Sequence, residues 1–373
     1  MKERRTIELP GLEGLVLSGA RPILAVILAL VVSAGLIWAA GANPIEAYAA
    51  LLEGSFGSVA ALANTGVRAA PLLLGGFAVG LGFKAGLWNI GGEGQIYLGA
   101  TVATAVGLIP LPVPAWVHLL LAVMAGFAGG LLWALVPAYL RAYRGVNEVC
   151  TTLMLNYVAG YFVSWLLHEP SPLAEKGAFF PMSPPILPSA RLPILVKGTS
   201  LHAGLILAVV LGVVLHFLLR YTPFGFRTRM VGENPEAARY AGVGVARQIF
   251  LVLLVCGGLG GLAGAGEVLG LKLRLFDFFA GGVGYEGLAL AMLANGNPLG
   301  MIVAGVFFGS LKAGAGKMQI VTGIEASMAL VIQALTVLFV IAIGFGERVR
   351  LTRQQKKKSR AEEGVASGHE LHQ

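Results

Sequence analysis

The chain has 373 residues, of which 56% are hydrophobic and only 12% are charged, and its mean hydropathy is +0.78. Soluble domains carry about 25% charged residues, so the composition excludes an ordinary soluble domain and predicts an all-α, polytopic transmembrane helical bundle. The net charge of +8 comes from basic residues dispersed over several predicted loops without a nucleic-acid-binding motif, so we expect the lipid bilayer, and no nucleic acid, as a partner.

Apolar runs of the length that crosses a bilayer, about 17–25 residues, recur along the chain. A longer apolar stretch is interrupted at residues 295–300 by the sequence NGNPLG, which favours a turn, so we divide it into two short, discontinuous spans. The ten predicted spans cover residues 22–40, 67–83, 93–109, 114–140, 149–167, 201–219, 248–270, 285–296, 299–313 and 324–345.

The distribution of basic residues orients these spans, because Lys and Arg are enriched in cytoplasmic loops. Segment 220–247 and the tail are rich in basic residues, whereas the 41–66 loop has none. Ten spans with cytoplasmic N- and C-termini satisfy this bias except at the 271–284 loop. The predicted organisation is a cytoplasmic N-terminal segment (1–21), a transmembrane domain (22–346) that contains the cytoplasmic loop 220–247, and a basic cytoplasmic tail (347–373).

Enzyme motifs match this chain only by pattern. Residues 282–287 have the glycine spacing of a dinucleotide site, but that chemistry needs a βαβ unit. Residues 311–318 resemble a phosphate loop, yet Leu311 replaces its first glycine and Met318 its Ser or Thr. The two cysteines predict neither a disulfide framework nor a zinc site. We expect no catalytic residue, no metal and no cofactor, and therefore no enzyme activity.

The segment GLWNIGGEGQIYLGA, residues 86–100, places polar side chains between two apolar runs. Such residues at membrane depth generally face a bundle interior or a wet cavity, and broken helices are tolerated there. Trp88, Asn89, Glu93 and Gln95 are therefore candidates to line a pathway for a polar solute. The structural alternatives are that Glu93 starts a helix, stabilised by its dipole, and that Trp88 is an interfacial aromatic residue.

A second segment, residues 281–287, repeats this pattern of glycines, an acidic residue and an apolar helix, with Glu286 in the place of Glu93. In the predicted topology the two following helices run in opposite directions. Opposed copies of a broken helix are typical of an inverted repeat, in which they indicate the pathway.

The cytoplasmic segment TPFGFRTRMVGENPEAARYAGV, residues 222–243, contains a helix-start signal. Asn234 is a preferred cap, Pro235 suits the first position and Glu236 the first turn. We expect a short surface helix at 235–241. Its functional interpretation is a docking surface, and its structural alternative is an ordinary solvated loop helix.

Three segments, GLWNIGGEGQIYLGA at 86–100, NEVCTTLMLNYVAGY at 147–161 and the 222–243 segment, resemble the signature segments of ABC importer permeases of the simple-sugar and nucleoside branch, in particular the family that works with basic-membrane-protein lipoproteins. The resemblance covers roughly residues 20–345. It implies the permease subunit of an importer in a bacterial plasma (inner) membrane, with three partners: an ABC ATPase subunit that hydrolyses ATP, a second related permease, and an extracytoplasmic nucleoside-binding lipoprotein.

The resemblance also implies roles for individual residues. Trp88 and Tyr157 are candidates to stack on a planar base, while Asn89, Gln95 and Asn156 are candidates to hydrogen-bond the substrate. The residues expected to couple the 220–247 loop to the ATPase are Arg227, Asn234, Glu236, Arg239 and Gly242. The I-x-L-P sequence that follows this loop in many importers is missing here.

Two rival functions stay open at this point. An ion-coupled secondary transporter would need a coupling site, for which Glu93, Glu267 and Glu286 are the available carboxylates. A channel or membrane scaffold would work without ATP. Within the importer interpretation, a simple sugar is the rival substrate.

Overall fold

The computed structural model describes residues 12–344, with side chains from residue 22 onward, and this part of the chain is helical. Two isolated antiparallel bridges, Met182 with Phe276 and Ile194 with His202, are the only strand-like pairings within it. The helices are α1 (Leu12–Ala39), α2 (Pro44–Phe56), α3 (Val59–Lys84), α4 (Gly92–Gly107), α5 (Ala115–Arg144), α6 (Glu148–Leu166), α7 (Gly204–Tyr221), α8 (Pro223–Glu233), α9 (Pro235–Tyr240), α10 (Val245–Gly266), α11 (Val283–Leu293), α12 (Pro298–Thr322) and α13 (Met328–Gly344).

The prediction of an all-α polytopic membrane protein is confirmed. Each predicted span falls on one of these helices, and seven described helices are long and apolar enough to cross a membrane. The seven are α1, α3, α5, α6, α7, α10 with its extension to Lys272, and α12. The number of spans and the orientation of the termini stay predictions, and the basic residues of 1–11 and of the 347–373 tail lie outside the described residues.

The pair predicted at 285–296 and 299–313 corresponds to α11 and α12, separated by the expected turn. Asn297 caps α12, since its side-chain oxygen accepts a hydrogen bond from the Leu299 N–H. However, α12 continues beyond the predicted span to Thr322. Its second half packs against α2, where a Cβ on Gly314 would lie 2.1 Å from the Leu51 carbonyl oxygen. Of the two helices predicted to be short, only α11 is short.

Packing divides the chain into two units. The first comprises Met1–Ala40 and Leu330–Gln373, and its described part holds α1 and most of α13. Large apolar side chains of α1 such as Ile23, Val31 and Trp38 are exposed, as is suitable for a helix that faces lipid.

The second unit, Gly41–Ala329, is built around α3, α4 and α10. A seam of glycines brings α10 against α4 and α5: a Cβ on Gly99 would lie 2.2 Å from the Gly261 Cα, and one on Gly130 would lie 2.2 Å from the Gly257 carbonyl oxygen. Small residues let membrane helices approach closely and pack by van der Waals contact. Glycine is required here because no side chain fits between the backbones.

The long connection between α6 and α7 lies along the chain that follows α10. Backbone hydrogen bonds join Ser183 to Leu275 and Leu192 to Leu269, each at 2.9 Å. The two loops thus share one end of the unit, as the predicted topology requires. The two basic residues of the 271–284 loop, which do not fit the predicted charge bias, form ion pairs there: Arg274 with Glu175 and Lys272 with Glu267.

Candidate functional site: a junction of two broken helices

The chain between α3 and α4 leaves the helical conformation for residues 85–91. Gly86 turns the chain with a φ of +71°, a conformation that glycine adopts without steric cost. In this break Asn89 and Gln95 bind one another twice: the Asn89 amide nitrogen donates to the Gln95 oxygen at 3.2 Å, and the Gln95 amide nitrogen donates to the Asn89 oxygen at 3.1 Å. The Asn89 oxygen also accepts from the Gly91 N–H.

The second break lies before α11, and Glu93 joins the two breaks. Its Oε1 accepts a hydrogen bond from the Gly282 N–H and its Oε2 accepts one from the Gly284 N–H, both at 2.8 Å. Glu93 lies in the first turn of α4, while the two donors lie at the start of α11. One carboxylate therefore stabilises the positive ends of two helix dipoles.

Asn156, on α6, is the third component of this junction. Its oxygen accepts from the Gly94 N–H at 2.9 Å, while its amide nitrogen donates to the Ile90 carbonyl at 2.8 Å and to the Tyr285 hydroxyl at 3.2 Å. Asn156 thus contacts both sides of the first break and the start of α11. We name residues 88–95, Asn156 and 281–286 the helix junction.

The predicted pathway residues divide into two groups in this structure. Asn89, Glu93, Gln95 and Asn156 come together, but they are at most 6% exposed and their polar groups bind the protein itself. Trp88 and Tyr157 are 46% and 63% exposed. The buried group therefore holds the broken helices in place in this conformation, whereas the two aromatic side chains lie at the surface of the chain.

Glu286, the remaining predicted pathway residue, belongs to a cluster of charges beside the junction. Its carboxylate accepts two hydrogen bonds from the Lys312 ammonium, at 2.8 and 2.9 Å. Lys312 also interacts electrostatically with Glu93 and with Glu267, and Lys272 lies 3.6 Å from Glu267. We name Arg68, Glu267, Lys272, Glu286 and Lys312 the ionic cluster, since Arg68 also interacts with Glu267.

Several residues of this site were not predicted from the sequence. Lys312 and Arg68 lie within the predicted spans 299–313 and 67–83, and a cation in a membrane span is itself a signal of an interior partner. Glu148 was also missed: it is buried, lies 3.1 Å from the Arg141 guanidinium and accepts a hydrogen bond from the Trp88 N–H. Its position in the first turn of α6 resembled that of a simple helix-start residue.

The short helix predicted after Asn234 is present as α9. The Asn234 side-chain oxygen accepts from the Glu236 and Ala237 N–H groups, each at 3.0 Å. Glu236 and Arg239 are exposed, as is Arg227 on α8, and Gly242 turns the chain with a φ of +81°. The predicted coupling residues therefore share one exposed region.

This region is fixed to the rest of the unit in two places. A small hydrophobic cluster of Val231, Ala238 and Val245 joins α8, α9 and α10. The end of α8 also packs directly on the turn that begins the first helix break, because a Cβ on Gly232 would lie 2.4 Å from the Lys84 carbonyl oxygen and 2.9 Å from the Gly86 nitrogen. Packing contacts thus connect α9, through α8, to the turn that precedes the helix junction.

Comparison with known proteins gives consistent matches over most of the chain. Residues 61–341 match the family described as "Branched-chain amino acid transport system / permease component". The glucose ABC transporter permease protein TsgB13 of Haloferax volcanii is 36% identical over 88% of this chain and 89% of its own length. The guanosine ABC transporter permease protein NupP of Bacillus subtilis is 34% identical over 90% of this chain and 96% of its own.

The nucleoside ABC transporter permease protein NupB of Lactococcus lactis is 29% identical over 91% of this chain and 94% of its own. The same two bacteria supply a second match each, the permease proteins NupQ and NupC. No solved structure matches the chain. The resemblance stated from three sequence segments is confirmed, and the chain belongs to this family of transport-system permease components.

Proposed function

We propose that the chain is the membrane subunit of an ATP-driven importer that moves a nucleoside, or a similar small polar solute, into the cell by alternating access. The observation that carries the proposal is the helix junction, where the starts of two broken helices meet on one carboxylate. Helix starts that meet inside a bundle can separate without breaking either helix, which is what a pathway that changes sides requires.

The substrate class rests on the relatives and on the exposed aromatic side chains. Relatives named for guanosine and nucleoside align with nearly the whole chain. Trp88 and Tyr157 offer ring faces on which a planar base can stack, an interaction that tolerates different bases. Because affinity in such a system resides in an external binding lipoprotein, these contacts need only be weak.

A simple sugar is the second candidate substrate, and one observation favours it: a relative at 36% identity is named a glucose permease. Sugars also stack on aromatic faces, so Trp88 and Tyr157 do not discriminate between the two classes. Competition for uptake discriminates them, since excess unlabelled guanosine abolishes guanosine uptake in a nucleoside importer and excess glucose leaves it unchanged.

The proposed partners follow from the same comparison. Two of the bacteria contribute two permeases each, which supports a heterodimer with a second, related permease in the plasma membrane. On this chain, α6 exposes Tyr161 and Trp165, four residues apart, on a helical face available to that partner. ATP hydrolysis belongs to a separate ATPase subunit, and the solute arrives from an external lipoprotein.

Coupling to the ATPase is assigned to α9. In this mechanism, nucleotide-driven closure of the ATPase moves α9, the Val231 cluster moves α8 with it, and Gly232 presses on the turn at Gly86. The helix junction then opens to the other side of the membrane. A secondary transporter would work without this path, taking up solute in ATP-depleted vesicles under an ion gradient.

The test is uptake of labelled guanosine by the assembled importer in proteoliposomes. Replacing Glu236 and Arg239 with Ala removes both charges of α9, so we expect ATP-dependent uptake to fall severalfold while the amount of chain in the membrane is unchanged. The control is Lys176→Ala with Lys197→Ala, two exposed charged residues in the connection between α6 and α7. Equal uptake in the α9 variant and the control would remove α9 from coupling.

A further inference from the structure

A cavity of about 350 Å³ lies beside α9, between α8 and the start of α10. The residues that line it are Phe224, Arg227, Gly242, Val243, Gly244, Arg247, Gln248 and Leu251. Its volume is in the range of small-molecule binding sites, about 300–1,000 Å³. Two of these residues, Arg227 and Gly242, belong to the predicted coupling region, but the proposed coupling through α9 and α8 assigns no occupant to the cavity.

Two guanidinium groups and no carboxylate line the cavity. Among the described residues, neither Arg227 nor Arg247 lies within ion-pair distance of an acidic side chain. Two like charges beside one cavity repel each other, and an anion between them removes that repulsion. Guanidinium groups bind phosphate by paired, charge-assisted hydrogen bonds, so the charge pattern favours a phosphate group.

The walls of the cavity are held in place by the fold. Gln248 is buried, and its amide nitrogen donates to the Phe224 carbonyl at 3.2 Å and to the Thr228 hydroxyl at 2.8 Å. These bonds tie α10 to α8. In addition, Gly244 caps α10 without a side-chain hydrogen bond, so the N–H groups of the first turn add a positive field at the same wall.

The remaining walls are apolar. Phe224 and Leu251 line the cavity, and Leu251 is part of the membrane-spanning helix α10. The cavity therefore joins a basic rim to apolar side chains, one of which lies on a helix that is long and apolar enough to cross a membrane. Basic pockets on the cytoplasmic side of membrane helices bind anionic lipid headgroups.

We propose that this cavity binds a phosphate-bearing anion, with the phosphate between Arg227 and Arg247. An anionic phospholipid, whose acyl chain lies along Phe224 and Leu251, contacts both the basic and the apolar walls, whereas free phosphate contacts only the basic rim. This site lies next to α9, and binding there does not depend on which solute the protein transports.

Binding is tested on the purified full chain in detergent by native mass spectrometry and by thermal unfolding. The probes are short-chain phosphatidylglycerol, phosphatidylcholine of the same chain length, and inorganic phosphate. We expect phosphatidylglycerol to be retained and to raise the unfolding temperature, and phosphatidylcholine to do neither. A response to inorganic phosphate as large as that to phosphatidylglycerol supports the phosphate site and assigns it to the free anion.

Variants localise the effect. Arg247→Gln removes one charged hydrogen-bond donor, so we expect affinity for phosphatidylglycerol to fall about tenfold or more. Arg247→Lys keeps a positive point charge, so we expect it to retain part of the affinity for phosphatidylglycerol. The control is Arg220→Gln at the end of α7, which removes the same charge outside the cavity.

Two results overturn the proposal: absence of any response to phosphatidylglycerol and phosphate in the unaltered chain, or a loss of binding in Arg220→Gln equal to that in Arg247→Gln. Either result would favour the alternative that the two arginines bind an acidic segment of the ATPase subunit.

Discussion

Glu93 and Gly282 are separated by 189 positions in the chain, yet the Glu93 carboxylate accepts a hydrogen bond from the Gly282 N–H at 2.8 Å. The second carboxylate oxygen binds the Gly284 N–H at the same distance. A Cβ on Gly284 would lie 2.2 Å from the Glu93 nitrogen, so the two backbones touch where the carboxylate bridges them. The two similar sequence segments are therefore in direct contact, with the acidic side chain of the first bound to the helix start of the second.

The first prediction concerns this bridge. Glu93→Gln replaces one acceptor oxygen with an NH₂ donor, which then faces a backbone N–H donor. We expect the free energy of unfolding to fall by about 1–3 kcal/mol, the cost of an unsatisfied buried group. The measurement is thermal unfolding of the full chain in detergent, followed by tryptophan fluorescence. The control is Glu53→Gln, whose carboxylate is exposed, and equal stability of the two variants would contradict the bridge.

The sequence predicted those features of the molecule that depend on local signals. Apolar length identified the spans, and the Asn234 cap identified α9, because capping involves residues two and three positions away. By contrast, α2 was not predicted, since its 13 residues include Glu46 and Glu53 and fall short of a span.

The partners of the polar residues could not be predicted from the sequence. Glu93 was identified as a residue that either starts a helix or lines a pathway, and the structure adds that its partner is the start of α11. Lys312 was not identified at all, because its partner Glu286 lies on another helix. Pairings of this kind depend on which helices pack together. That packing follows contacts between glycines far apart in the chain, such as Gly99 and Gly261, and the sequence does not show which glycines meet.

The second prediction concerns the ion pair of Glu286 and Lys312. Both side chains are largely buried, so removing one partner leaves a buried charge without its hydrogen-bonded counter-ion, which costs up to about 3–5 kcal/mol. We expect Lys312→Met and Glu286→Gln each to lower the unfolding temperature more than the double variant does. The matched control is the exposed pair of Glu53 and Lys317. For that pair we expect the same set of two single variants and one double variant to give a coupling energy of about 0–1 kcal/mol. Additive effects at Glu286 and Lys312 would refute the coupling.

The third prediction concerns the contact between α8 and the turn at Gly86. Gly232→Ala places a methyl group where it would lie 2.4 Å from the Lys84 carbonyl oxygen, so α8 must move away from the turn. We expect a loss of about 1–3 kcal/mol in stability and lower uptake per ATP hydrolysed by the assembled importer. Gly316→Ala is the control, since a Cβ there meets nothing within 4 Å. Normal coupling in Gly232→Ala would exclude this contact from the proposed path.

The fourth prediction concerns pH. Burial lowers the pKa of His202, which precedes α7 and whose Nδ1 accepts a hydrogen bond from the Gly204 N–H at 3.2 Å. Above about pH 6.5, the ordinary histidine pKa, the ring is neutral in the folded and unfolded states and costs nothing. As the pH falls below that value, His202 binds a proton in the unfolded chain but stays neutral in the folded chain. The free energy of unfolding therefore decreases until the pH reaches the lowered pKa of His202 in the folded chain.

The measurement is the unfolding temperature of the full chain at pH 8 and pH 5 in one detergent. His202→Asn keeps an acceptor for the Gly204 N–H but cannot titrate, so we expect it to lose part of the decrease seen in the unaltered chain. His168→Gln, at an exposed histidine, should leave the decrease intact. If both variants retain the full decrease, the acid sensitivity arises from other groups and the buried His202 ring does not contribute to it.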